Sequence, residues 1–243
     1  MTRVKLTIEY VGTEFCGWQS QANGNGVQDN VERALAKYFD VDFVRIYAAG
    51  RTDAGVHAKG QTVHFDTEKA VNPYKLCLGL NLSLPSSIAV TNAEIVSDDF
   101  DARFGAISKT YCYRVYVSSA RHPLLDVNHA QVYKMPNVAK MRNAAELLVG
   151  THDFAAFQKN GSNLKGTVRT VNSFEVVERG DVLEFWVNGN AFLYNQVRTM
   201  CGLLLEVGKG KFDLKDVENM LNGQKLTYKT LPAKGLTLEK VYY

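Results

Sequence analysis

Val4, Leu6, Ile8 and Tyr10 alternate with polar residues, a pattern that predicts a half-buried strand near the head of the chain. Val27, Val31, Leu35 and Phe39, with Ala34 and Tyr38 beside them, recur at helical spacing and predict an amphipathic helix packed on that strand. A turn-rich segment ending Asn23-Gly24-Asn25-Gly26 separates the two. Strands are expected over residues 43–47 and 61–66, with a loop between them. A helix over 73–82 has Pro73 at an N-terminal position and stops at Leu84-Pro85. A strand over 88–96 follows.

The second half repeats the theme. Residues 110–117 alternate and are rich in tyrosine and valine, the composition of a strand. A helix is predicted over 138–149, ended by Gly150. Residues 168–177 and 182–187 read as a hairpin about Arg179-Gly180-Asp181. A long helix over 192–207 ends at Gly208, and a shorter one covers 214–221. Because hairpins outnumber helical crossovers, the pattern predicts an α+β fold with antiparallel sheet. Two halves rich in both elements divide near residue 105, giving expected domains 1–105 and 106–243.

Composition changes this picture little. The 243 residues, 46% hydrophobic and 22% charged, suit a soluble globular protein with a substantial core. No apolar run is long enough to span a membrane. The chain enters its first strand pattern at once, so no signal peptide is expected. Cys16, Cys77, Cys112 and Cys201 form no C-x-x-C pair and have no histidine at zinc-finger spacing, which suits thiols in a reducing cytosol. The net charge of +3 is too small to announce a polyanionic partner. Its distribution is uneven: residues 1–100 carry 9 basic and 12 acidic side chains, residues 101–243 carry 19 and 13. A nucleic acid would be met mainly by the second half.

One run concentrates ionisable groups between glycines: Gly50-Arg51-Thr52-Asp53-Ala54-Gly55-Val56-His57-Ala58. A loop held between two strands is where proteins place chemistry. On local chemistry alone Asp53, ahead of Ala-Gly-Val, ranks first as a helix N-cap or Asx-turn residue. Arg51 beside it would keep a reacting carboxylate ionised. His57 and His64 with Asp53 and Asp66 make a conceivable metal set, but they match no metal signature, and structural roles are expected for both histidines. Neither Asn23-Gly24-Asn25-Gly26 nor Gly208-Lys209-Gly210-Lys211 has the spacing of a phosphate-cradling loop. Tyr111 and Tyr113 share one face of their strand, with Lys109 and Arg114 nearby, an arrangement that suits stacking on an unpaired base.

The nine-residue run resembles the signature of the TruA family of tRNA pseudouridine synthases. The resemblance continues in order along the chain. It includes Gly12-Thr13, Phe15, Gly17-Trp18-Gln19 with Gln21, and Val27-Gln28. Next come Asn81 with Leu84-Pro85 and Ile88, then Ala102-Arg103, Ala106, Lys109, Tyr111 and Tyr113. Thr167-Val168-Arg169-Thr170, Asn190-Ala191-Phe192 with Val197-Arg198, and Pro232-Ala233 with Gly235-Leu236 complete it. Three positions depart: Ser87 replaces an acidic residue, and Asp101 and Gly105 stand where the family has His and Ser.

The resemblance implies isomerisation of uridine to pseudouridine in the tRNA anticodon stem-loop, typically at positions 38, 39 and 40. It implies two related α+β domains around an extended, mainly antiparallel sheet with helices packed on it, the pseudouridine synthase fold. The first domain would carry the aspartate loop and the more basic second would complete the active-site cleft. It further implies a cytoplasmic homodimer that binds tRNA and needs neither metal nor organic cofactor. Asp53 matches the family's catalytic aspartate, and Tyr111 the tyrosine that stacks on the target base. Arg198 matches the basic residue paired with the aspartate, and Arg51 an arginine that holds the base extruded. The rival readings are a non-catalytic RNA-binding protein on the same scaffold and, more distantly, a metal-dependent hydrolase using Asp53, His57 and His64.

Overall fold

The opening alternation builds strand β1 (Thr2–Tyr10), in which Val4, Leu6, Ile8 and Tyr10 turn inward and are buried. The computed structural model describes residues 1–21, 25–159 and 166–243. The glycine-rich turn expected before the first helix therefore lies in part, at Asn23 and Gly24, outside the described residues. Helix α1 (Val27–Phe39) follows, then strands β2 (Tyr47–Ala48) and β3 (His57–Thr67), helix α2 (Pro73–Ser83) and strand β4 (Ile88–Val96). The chain continues with β5 (Ser108–Val117), β6 (Ala130–Val132), α3 (Val138–Leu147) and β7 (Gly150–Asp153). Next come β8 (Val168–Arg179), β9 (Val182–Gly189), α4 (Gln196–Gly208), α5 (Leu214–Leu221) and β10 (Leu236–Tyr242). The fold class is α+β, as the hairpin-rich pattern predicts. Among the described residues no helix is long and apolar enough to cross a membrane.

Cα packing divides the chain into two units. One holds Met1–Ile107 together with Leu238–Tyr243, the other Ser108–Thr237. In the first, the strand order is β4-β1-β3-β10, with β2 beside β3. β1 runs antiparallel to both neighbours, placing Val4 opposite Phe65 and Leu6 between Val63 and Ala93. Val27, Val31 and Leu35 of α1 and Leu76 and Leu80 of α2 are all fully buried and complete this core. Asn81 fastens α2 to the sheet. Its amide donates to the Val90 carbonyl at 2.9 Å, and its carbonyl accepts the Val90 N–H at 2.8 Å, as a strand partner would.

In the second unit the order is β5-β9-β8-β7, with β6 running parallel to β5. β8 and β9 form the predicted hairpin, closed by the two-residue turn Gly180-Asp181. Tyr113 and Val115 of β5 and Phe185 and Leu183 of β9 are fully buried on one face. Met141 and Ala144 of α3 and Met200, Leu203 and Leu204 of α4 belong to the same buried set.

Several elements differ from the sequence pattern, among them the short strands β6 and β7, which it does not predict. The strand expected over 43–47 shrinks to Tyr47–Ala48, because the buried Glu32 carboxylate of α1 accepts the Ile46 N–H at 3.2 Å and takes the place of a strand neighbour. The helix expected from residue 192 starts only at Gln196, because Asn195 takes the left-handed conformation, φ 62°, and breaks the helical path. β10 escaped prediction because its inward positions, Leu236, Thr237, Leu238 and Val241, do not keep a period of two.

Candidate active site

Asp53 lies in the first unit. It opens a four-residue turn in which the Val56 N–H donates to the Asp53 carbonyl at 3.1 Å and Gly55 has φ +79°. An aspartate suits the first position of such a turn. Of the two expected roles, helix cap and turn residue, the structure has the turn: β3 follows at His57, so no helix begins for Asp53 to cap. Asp53 is half-buried and Arg51 exposed, whereas Thr52, Val56 and His57 between and beyond them are buried. The run thus turns two chemistry-bearing residues outward from an anchored backbone.

That anchoring comes from residues distant in sequence. The Tyr10 hydroxyl and Thr52 Oγ1 share a buried hydrogen bond of 2.8 Å. Burial pushes the Tyr10 hydroxyl well above the ordinary tyrosine range, so it stays a neutral partner. Gln61, fully buried, donates from Nε2 to the Gly50 carbonyl at 2.8 Å. The Trp18 N–H donates to the Thr52 carbonyl at 3.1 Å. Beside it, Gly17 at φ +95° lies so close to the run that a Cβ there would stand 2.7 Å from the Thr52 oxygen. The Gly12 N–H donates to His57 Nδ1 at 3.1 Å. Gly12, Gly17 and Trp18, which carried part of the family resemblance, are therefore the seat of the aspartate turn.

The histidines have backbone partners of their own. His57 Nδ1 is occupied by the Gly12 N–H, and His64 Nδ1 by the Ala102 N–H at 3.0 Å. No helical turn joins Asp53 to His57, since β3 begins at His57. Among the described residues no three His, Cys, Asp or Glu side chains are grouped as metal ligands would be. Asp101, one of the family departures, organises its own loop: its Oδ1 accepts the N–H groups of Arg103 and Phe104, each at 2.7 Å.

Tyr111 and Arg198 lie in the second unit. Tyr111 is 8% exposed on β5, and its ring meets Phe192 edge to face at 5.4 Å. Tyr113 shares its face but has a different fate: it is fully buried, and its hydroxyl donates to the Pro232 carbonyl at 2.7 Å. It is thus a structural tyrosine, closed to base stacking. A Cβ on residue 235 would stand 2.5 Å from the Tyr113 ring, so glycine leaves the space that ring occupies. This pinned 231–235 segment presents the Leu231 carbonyl to Arg198 Nε at 2.8 Å. Arg198 Nη1 donates to Asn195 Oδ1. The guanidinium is thereby held in one plane by a backbone carbonyl and a side-chain carbonyl.

Tyr10, Thr52, Gln61, Asn195 and Tyr113 were not singled out by sequence for these roles. Tyr10 shows there only as an inward-facing strand residue and Tyr113 as a stacking candidate, and the partners of their hydroxyls are 42 and 119 positions away.

Comparison with known proteins bears on the whole chain. The tRNA pseudouridine synthase family model matches residues 6–105 and 144–243. A tRNA pseudouridine synthase A of Geobacter sp. is 41% identical over 246 residues, covering 100% of this chain and 99% of the relative. The one of Syntrophotalea carbinolica is 43% identical over 245 residues, covering 100% and 97%. That of Clostridium acetobutylicum is 39% identical over 246 residues and covers 100% of each.

Proposed function

The chain belongs to the tRNA pseudouridine synthase family, enzymes that isomerise uridine to pseudouridine, and on that premise we propose that Asp53 carries the reaction at uridines of the anticodon stem-loop, typically positions 38, 39 and 40. The observation that carries this reading is the contrast within one short run. A half-buried carboxylate stands on a turn whose neighbours are tied down by Tyr10, Gln61, Trp18 and Gly12. Catalysis by a positioned carboxylate needs that rigidity, because misplacement by about 1 Å costs roughly 100-fold in rate.

The reaction breaks the N-glycosidic bond, turns the uracil, and joins its C5 to the same sugar carbon. Bond breaking builds positive character at C1′, as in glycoside hydrolysis. Asp53 stabilises or traps that charge, or removes a neighbouring sugar proton to give a glycal. Tyr111 stacks on the uracil and holds it without fixing its rotation. Arg198 supplies the positive charge that keeps the reacting carboxylate ionised. Arg51 holds the base out of the stem, offsetting the few kcal/mol that extrusion costs. A site closed to bulk water keeps the detached base for rejoining. The same reading takes tRNA as substrate, the 1–105 and 106–243 divisions as domains, a homodimer as the working form and the cytoplasm as its place.

The test is tritium release from tRNA labelled at uracil C5, using Asp53→Asn and Asp53→Ala. Both variants should fold, bind tRNA and lose turnover by at least about 1,000-fold. A folded variant that keeps near wild-type turnover would overturn the assignment of Asp53. Wild-type protein that binds tRNA tightly yet forms no pseudouridine would support an RNA-binding role instead.

A further inference from the structure

Asn195 is one of two described non-glycine residues with positive φ, at φ 62° and ψ 5°, and it is buried. Asparagine is among the few side-chain-bearing residues that enter this region readily. It stands at the N-cap of α4, yet its side chain makes no capping hydrogen bond. Around this helix start the Gln196 N–H donates to the Leu193 carbonyl and the Thr199 N–H to the Asn195 backbone carbonyl, each at 3.0 Å, and the Leu193 N–H donates to Gln196 Oε1 at 2.8 Å. The Asn195 amide carbonyl is committed instead to Nη1 of Arg198, one helical turn on.

We propose that Asn195 is a positioning residue for the reaction, acting through Arg198. This rests on the role given to Arg198 above. A guanidinium carries five N–H groups in one plane. Leu231 takes the Nε donor and Asn195 takes one on Nη1. Two acceptors on different edges of a planar ion set both its position and its tilt, so the directions of the other three N–H groups are fixed. At the left-handed residue 195 the side chain thus meets the Arg198 side chain in place of the backbone N–H groups that an N-cap ordinarily serves.

The experiment separates this role from a backbone one. Asn195→Gly keeps the left-handed conformation at little cost and removes the side chain, and with it the carbonyl that meets Arg198. Its thermal midpoint should stay within a few degrees of wild type, while single-turnover pseudouridine formation falls about 10- to 100-fold with tRNA affinity changed less than about 3-fold. Arg198→Lys keeps the charge but loses the planar fork. In that background Asn195→Gly should cost less than about 2-fold, because the group it orients is gone. An Asn195→Gly enzyme of wild-type rate overturns the inference. So does a rate loss of the same factor in both backgrounds. If Arg198→Lys and Arg198→Ala both turn over normally while Asp53→Ala is inactive, the role of Arg198 fails and the inference falls with it.

Discussion

Replacing Gly17 by alanine tests whether the seat beneath Asp53 governs catalysis. The substitution acts twice. It forces an L side chain to φ +95°, which costs about 1–2 kcal/mol. It also puts a Cβ 2.7 Å from the Thr52 oxygen and 3.1 Å from both the Asp53 carbonyl carbon and the Ala54 nitrogen. All three are backbone atoms of the aspartate run and cannot rotate away. Ordinary contact starts at 3.4 Å, so the run and the Gly17 segment must part by about 0.7 Å. Overpacking of this kind costs roughly 1–3 kcal/mol. The sum, about 2–5 kcal/mol, corresponds to a fall in thermal midpoint of about 5–15 °C for a chain of this size. A displacement of that order at a reacting carboxylate predicts a loss of about 10- to 100-fold in kcat. The assay is tritium release at a temperature where circular dichroism shows the variant fully folded, so that unfolding contributes nothing. Gly210→Ala is the control, since Gly210 has φ +78° and a Cβ added there would meet nothing within 4 Å. It bears the conformational cost alone and should keep full turnover. The reasoning is refuted if Gly17→Ala keeps kcat within about 2-fold, or loses no more stability than Gly210→Ala.

Two stability predictions follow from the first unit. Burial holds the His64 imidazole below its ordinary value of 6.5, and its Nδ1 is committed to the Ala102 N–H. The unfolded chain therefore binds a proton below pH 6.5 that the folded chain refuses, so stability is full above that pH and falls as the solution is acidified. Urea midpoints at about pH 7.5 and about pH 5.5 should differ less in His64→Gln than in wild type. Asn81→Ala removes both hydrogen bonds to Val90 and should cost about 1–3 kcal/mol, read as a lower urea midpoint. Faster amide exchange at Val90 should accompany it, and unchanged exchange there would show that Asn81 does not hold β4.

Several elements were legible because their cause is local. The inward period of two in β1 and the helical period of α1 need only the residues inside each segment, since side-chain direction follows from backbone geometry. The Gly180-Asp181 hairpin is equally local, its turn residues standing between two apolar runs. The run around Asp53 was legible as a pattern, and with it the matching positions of Tyr111, Arg198 and Arg51. Local chemistry left a helix cap and a turn both open, because an aspartate before alanine and glycine suits either, and the structure forms the turn.

What the sequence by itself determined, then, is the α+β class, most of the elements and the family to which the chain belongs. Only the tertiary structure decided how the candidate site residues are held. The Tyr10–Thr52 bond joins residues 42 positions apart, Gln61 reaches back 11 to Gly50, and Leu231 meets Arg198 from 33 positions away. Glu32 likewise cut short a predicted strand from 14 residues upstream. Such pairings have no period and no motif of their own. They exist only once the sheet and helices have closed, because a buried polar group must then find whichever partner the packing leaves within about 3 Å.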